Sequence, residues 1–154
     1  MLKHMTFYDW MEGVNIKNLH QLNKEKKWFS KIEPTKRMSH TDAVCHTKEG
    51  RKITVELKTR DEKIEQFNKW GDVLIEPSKI SEFTRIMESG YSLNENCLYI
   101  NFTPDGAIMF SFNDLKGNVN FYPNHRHYNK GKEQWENETR IGLPMSDAIV
   151  IKWS

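Results

Sequence analysis

The stretch "HTDAVCHTKEGRKITVELKTR", residues 40–60, decides how this chain is read. In its second half Ile53, Val55 and Leu57 form one apolar face of a strand, while Thr54, Glu56 and Lys58 share the other, because strand side chains alternate with period two. Its first half, "HTDAVCH", reads as a second strand, and "TKEGR" joins the two as a hairpin. The commonest three-residue hairpin loop is a type I turn followed by a left-handed residue, a position that favours glycine. "KEG" suits that loop, with Gly50 as the left-handed residue. Thr47 then faces Arg51, Cys45 faces Ile53, Ala43 faces Val55 and Asp42 faces Glu56. A two-residue loop at Glu49 and Gly50 would shift the pairing by one residue and remove this alignment.

In the three-residue register Asp42, Glu56 and Lys58 lie on one face, with opposed Cβ atoms roughly 5 Å apart. Directly opposed carboxylates destabilise a sheet unless something cationic sits between them. Mg²⁺ meets that need, since it takes oxygen ligands and is typically held by one or two carboxylates together with substrate phosphate oxygens. Lys58 adds a positive charge beside the attacking water, and the set suits phosphodiester hydrolysis. The plainer reading is a solvated Glu56–Lys58 ion pair on an edge strand, with Asp42 at a strand end.

"TD" at 41–42, followed by "VELK" at 55–58, resembles the PD-(D/E)XK nuclease superfamily, the restriction-endonuclease-like fold. The resemblance maps Asp42 onto the motif aspartate, Glu56 onto the second acid and Lys58 onto the motif lysine; Thr41 stands where the family has its proline. It implies metal contact by the backbone carbonyl of Leu57, and a further glutamate from the first helix, for which Glu12 and Glu25 are both available. It also implies a Mg²⁺-dependent nuclease, with Mn²⁺ able to substitute, acting on nucleic acid and above all on DNA. The helix, the hairpin and a later helix and strand agree with the family's α-β-β-β-α-β core over about residues 15–113, leaving 114–154 as a C-terminal extension. "DVLIEPSKISEF" and "LYINFTPDG" look like small phage and bacterial proteins of this kind.

Working outward, 154 residues suit one domain with a single active or binding face. A hydrophobic content of 37% with 29% charged residues fits a soluble globular chain. No apolar run approaches the roughly 18 residues of a membrane span, and "MLKHMTFYDW" lacks a signal-peptide core, so the expected address is the cytoplasm. Cys45 and Cys97 have no metal-ligand spacing and read as core thiols. Residues 1–60 hold 13 Lys+Arg against 7 Asp+Glu, and residues 61–154 hold 10 against 14. The basic first half allows a phosphate-binding face, although Lys24, Lys26 and Lys27 also serve simply to solvate a helix.

Periodicity gives the remaining elements. A helix capped by Thr6 and interrupted at Gly13 leads through Ile16, Leu19 and Leu22 toward Trp28 and Phe29. After a polar connector, "DVLIEP" reads as a strand and "PSKISEFTRIMESG" as a helix closed by Gly90. "CLYINFTPDGAIMFSFNDL" reads as two strands with a turn at Pro104, Asp105 and Gly106. Residues 117–143 read as irregular, and "DAIVIKW" as a last strand. The sum is a mixed α/β (α+β) domain with a central mixed sheet flanked by helices.

Lys52, Arg60 and Arg126 are candidate phosphate contacts. His40 and His46 flank the Asp42 strand. "NHRHYNKGK", 124–132, with Tyr122, Tyr128 and Trp135 nearby, mixes cations and rings as nucleic-acid-binding loops do; His125 and His127 lack a third metal ligand. Two other classes stay open: a catalytically silent nucleic-acid-binding or assembly module of the same fold, and a protein-interaction domain using the aromatic tail. A homodimer would place one site on each strand of a duplex.

Overall fold

Leu19 and Leu22 are fully buried, and their burial carries helix α1 (Phe7–Lys26) through Gly13 without the expected interruption. One exposed glycine costs a helix about 1 kcal/mol, less than two buried leucines contribute. This computed structural model describes residues 7–35, 42–88 and 96–154, with side chains from Trp10 onward. The expectations placed on Thr6, His40, Thr41 and Gly90 lie outside the described residues.

The helix stops earlier than its sequence pattern suggests, and Phe29 opens strand β1 (Phe29–Pro34) instead of closing the helix. Two features make that switch. Lys27 adopts φ 56°, with its N–H donating to the Asn23 carbonyl at 2.7 Å. Asn23 then latches the new strand: Oδ1 accepts from the Phe29 N–H at 2.8 Å, and Nδ2 donates to the Phe29 carbonyl at 3.0 Å.

Strands β2 (Ala43–Thr47) and β3 (Lys52–Thr59) pair as the three-residue loop requires, with Cys45 opposite Ile53 and Ala43 opposite Val55. Gly50 has φ 82° and donates to the Thr47 carbonyl at 3.0 Å. The polar connector holds a helix the sequence reading omits, α2 (Ile64–Trp70). Its apolar signal is Ile64 and Phe67, one turn apart and buried, with Trp70 exposed at its end, and Gly71 closes it at φ 84°. Strand β4 (Asp72–Ile75), helix α3 (Pro77–Glu88) and strands β5 (Asn96–Thr103) and β6 (Gly106–Ser111) follow as expected.

The stretch expected to be irregular is a long hairpin, β7 (Asn120–Asn129) and β8 (Gln134–Pro144). Most of its residues touch water on both faces, so no hydrophobic alternation marks it; ladder hydrogen bonding does the work. Strand β9 (Ile149–Lys152) ends the chain as the last strand expected.

The protein is therefore mixed α+β, with three helices and a mixed sheet among the described residues. Six strands lie in the order β1-β2-β3-β5-β6-β9; β1, β2 and β3 meander antiparallel, and β5 runs parallel to β3 after a crossover through α2, β4 and α3. A second sheet has the order β4-β8-β7. Residues 114–154 complete both sheets, since β8 pairs with β4 and β9 with β6. Two cores lie on opposite faces of the main sheet. Under α1, Leu19 and Leu22 meet Val55, Leu57 and Ile100. On the other face Ile64, Phe67 and Phe83 meet Tyr99, Phe110 and Leu143. No helix among the described residues is long and apolar enough to cross a membrane.

Gly106 begins β6 where β9 runs closest: a Cβ there would lie 1.9 Å from the Ile151 carbonyl oxygen, on backbone that cannot swing aside. Gly106→Ala is expected to destabilise the protein by about 1–3 kcal/mol, read as a lower urea midpoint at unchanged slope.

Candidate active site

Strand β3 is paired on both edges, and the two cores cover the faces of its middle, so a polar residue there is buried. The Val55 and Leu57 face packs under α1. The opposite face carries Thr54, Glu56 and Lys58, and Glu56 lies beside Tyr99 of β5. Glu56 is only 8% exposed.

Asp42 stands where the β2–β3 ladder stops. Its N–H donates to the Val55 carbonyl at 3.0 Å, one residue short of the partner a continued ladder would give it. Its carboxylate Oδ2 accepts the Leu57 N–H at 2.7 Å, taking the place of a strand carbonyl. The side chain is thereby anchored across the Glu56–Leu57 peptide, and the two carboxyl groups meet. The N–H and C=O of one strand residue point to the same side, so the Leu57 carbonyl is directed toward the side from which Asp42 approaches.

Two buried carboxyls in contact do not both ionise. Burial first, then the charge of Asp42, push Glu56 up to about 8, although the Lys79 ammonium 3.1 Å from its Oε1 pulls the other way. Burial also raises Asp42, while the Leu57 N–H and the charge of Lys79 oppose it. At neutral pH Glu56 therefore holds the proton and Asp42 the charge. Glu56 Oε2 is buried and no N–H or hydroxyl of the protein reaches it, which leaves the shared proton to join it to Asp42.

Lys58 lies two residues along the same face. Crowding, followed by the Arg60 guanidinium, holds its ammonium below the ordinary lysine range, with Arg140 adding to the effect and Glu76 and Glu56 opposing it. Its side chain keeps contact with water, so solvent screening softens all of these influences.

The other expected residues lie as follows. Helix α1 packs on the opposite face of the sheet, so neither Glu12 nor Glu25 is gathered to the carboxyl pair. Glu12 is exposed, and Glu25 accepts from the Ser154 hydroxyl at 2.8 Å. Lys52 begins β3, six residues and roughly 20 Å of strand before Lys58. The Arg60 guanidinium is engaged from below, donating to Asn101 Oδ1 at 2.9 Å, the Tyr99 hydroxyl at 2.8 Å and the Leu74 carbonyl at 2.5 Å. Arg126 is exposed on β7, stacked over Trp135. His46 faces Lys52 and lies 3.7 Å from Glu33. Cys45 and Cys97 are buried free thiols, and burial pushes Cys45 up to about 12.

Three groups that act on the site were not anticipated from the sequence: Lys79, Glu76 and Arg140. Lys79 is the third residue of α3, and "EPSK" carried no signal beyond a strand end and a helix start. Its role follows from the face on which α3 docks. A second cluster, His127, Glu136 and Glu138, lies on the hairpin with ligand atoms within 4.8 Å of one another. Arg140 occupies it, donating to Glu138 Oε2 at 2.7 Å and lying 3.4 Å from His127 Nε2. No family model, curated protein or solved structure matches the chain.

Glu56 is raised above its unfolded value of about 4.5, so the folded protein keeps a proton that the unfolded chain releases. The contribution is full below about pH 4.5 and is lost as pH rises through about 8. Without added metal, thermal midpoints are expected to fall across that window, and Glu56→Gln is expected to flatten the fall and raise the midpoint at pH 8. Calorimetry of both proteins at several pH values checks this; parallel curves would refute the shared proton.

Proposed function

We propose that the chain is a metal-dependent nuclease that hydrolyses phosphodiester bonds, with DNA as its substrate. One observation carries the reading: Asp42 and Glu56 meet at a buried Glu56 oxygen that no N–H or hydroxyl of the protein reaches, so only a shared proton joins the two acids. A stability-driven fold has little use for such a pair, because an apolar residue in place of Glu56 would pack without desolvating a carboxyl. A divalent cation fits the donor set, which is all oxygen: Asp42, Glu56 and the Leu57 carbonyl.

Further support comes from the order of elements. A helix, an antiparallel three-strand meander, a helical crossover and a strand parallel to β3 follow the α-β-β-β-α-β sequence of the restriction-endonuclease-like core. Asp42 just before the second strand, with Glu56 and Lys58 on the third, keeps the order that the resemblance implies. The match is one of topology and short motif.

When bound, Mg²⁺, or Mn²⁺ in its place, supplies the charge that polarises a phosphate oxygen and acidifies a water. The protein's residues do the rest. Asp42 and Glu56 would hold the cation, Glu56 having first released its proton to solvent, and Asp42 is fixed for that task by the Leu57 N–H. Lys58 Nζ orients the attacking water and meets the negative charge that grows on the phosphate. Lys79 holds Glu56 Oε1 and adds positive charge where a phosphate approaches.

The test is incubation with labelled single-stranded, duplex and branched DNA in Mg²⁺, Mn²⁺ or EDTA. Cleavage is expected only with metal; Lys58→Ala is expected to slow it by roughly 10²–10³-fold, the effect of removing one transition-state donor, and Asp42→Asn to abolish it. Independently, Mg²⁺ at 100 times its dissociation constant is expected to stabilise the wild type by about 2.7 kcal/mol, and Asp42→Asn not at all. Metal-independent cleavage, or none, together with an unmoved midpoint, would sink the reading.

A further inference from the structure

The part of the molecule that the proposed chemistry does not use is the outer half of the β7–β8 hairpin. Its register sorts the side chains cleanly. Tyr128 faces Trp135 and Arg126 faces Asn137, so these four share one surface. His127 faces Glu136 and His125 faces Glu138, so both acids of outer β8 turn to the other surface. There they are engaged by Asn129, Gln134, Lys132 and Arg140. The first surface thus carries two rings, a guanidinium and an amide, with no acid and no aliphatic side chain.

Trp135 is 60% exposed, its ring 5.5 Å from that of Tyr128 in an edge-on pair. Arg126 lies over it, 5.0 Å from the ring centroid, in a cation–π contact that leaves the guanidinium edge available to an anion. The turn holds Lys130, which pairs with Asp61, Lys132, which reaches Glu136 on the opposite surface, and Glu133, so Arg126 is the cation among the rings. Wet rings interleaved with a cation match a nucleic-acid strand, whose bases offer π-faces and whose backbone offers phosphates. A duplex keeps its base faces stacked inside, so only unpaired bases can lie on Trp135 and Tyr128.

Position ties this surface to the candidate site. Lys130 at the hairpin tip bonds Asp61 at 2.5 Å, just past Arg60 at the end of β3. Along β8, alternation puts Trp135 and Asn137 on the same side as Ile141 and Leu143, which pack into the core on the Glu56 face of the main sheet.

We infer that the Trp135–Tyr128–Arg126 surface of the hairpin is a stacking platform for unpaired bases, making the substrate single-stranded nucleic acid or one with a single-stranded segment. Its catalytic meaning rests on the nuclease reading, whereas the binding does not.

The test therefore measures binding in EDTA, where cleavage plays no part. Fluorescence anisotropy would follow fluorescein-labelled oligo-dT, and its duplex with oligo-dA, on wild type, Trp135→Ala, Trp135→Phe and Arg126→Ala. Wild type is expected to prefer the single strand. Trp135→Ala is expected to weaken single-strand binding by about 5–150-fold, the range of one lost base stack, with little change on the duplex. Trp135→Phe keeps a ring and is expected to stay within a few-fold of wild type, with thermal midpoints confirming that the variants are folded. No saturable binding of oligo-dT, equal losses on both nucleic acids, or an alanine variant that binds like wild type would overturn the inference. So would a self-association that Trp135→Ala abolishes while single-strand binding persists. Failure to cleave under Mg²⁺ with this pattern intact would remove the nuclease reading and leave the platform standing.

Discussion

Two carboxyl groups share one proton in the middle of a sheet, and much of this protein is arranged around that constraint. Glu56 is on a central strand because β3 has a neighbour on each side, β2 antiparallel and β5 parallel. A carboxyl placed there loses its water, and one placed against Asp42 also meets a like charge. The fold answers with Lys79 at Oε1 and a retained proton, and no N–H or hydroxyl reaches the other oxygen. Asp42 is held by the Leu57 N–H rather than by Glu56, so it would keep its place when that proton leaves.

The stability that offsets this comes from the two apolar cores rather than from the site. Val55 and Leu57 bury their side chains under α1 on one face of β3, while Glu56 and Lys58 occupy the other. Period-two alternation thus keeps packing and chemistry on one strand without mixing them. The crossover between β3 and β5 then sets α3 over the polar face, bringing Lys79 to Glu56. The same crossover contains β4, whose pairing with β8 brings Arg140 within electrostatic reach of Lys58. Elements distant in sequence thus act on one site, α3 on Glu56 and β8 on Lys58.

How much of this was legible follows from where the signals lie. The β2–β3 hairpin could be read to the residue, because alternation, a glycine at the left-handed position and a three-residue loop all point to one register. Asp42, Glu56 and Lys58 were legible through that register, except that the ladder slips at Asp42, whose side chain bonds Leu57. Helix α2 was hidden because seven residues, with Ile64, Phe67 and Trp70 as their apolar positions, are too few to show a period. Strand β1 was hidden because the Asn23 side chain, a tertiary latch, decides where the helix ends. Lys79 and Arg140 follow from docking directions that no local pattern encodes. Glu12 and Glu25 were named because the resemblance implies a glutamate from the first helix, and α1 packs on the face away from Glu56.

The hairpin was illegible for a different reason, and that reason bears on its use. Hydrophobic alternation records which face of a strand is dry, and outer β7–β8 has no dry face. Its place is held by the β8–β4 ladder and by Ile141 and Leu143 at its base, so Arg126, Tyr128 and Trp135 contribute little to the fold. As an edge strand, β7 would invite pairing with another chain, but Pro123 lacks an N–H and the register shifts between Tyr122 and His125, which breaks the row of free backbone groups. The strand is thus guarded along its backbone edge while its large rings remain in water. Guarding the edge discourages strand addition, so the affinity of this surface must reside in side-chain faces, and rings with a cation between them are suited to flat, charged ligands.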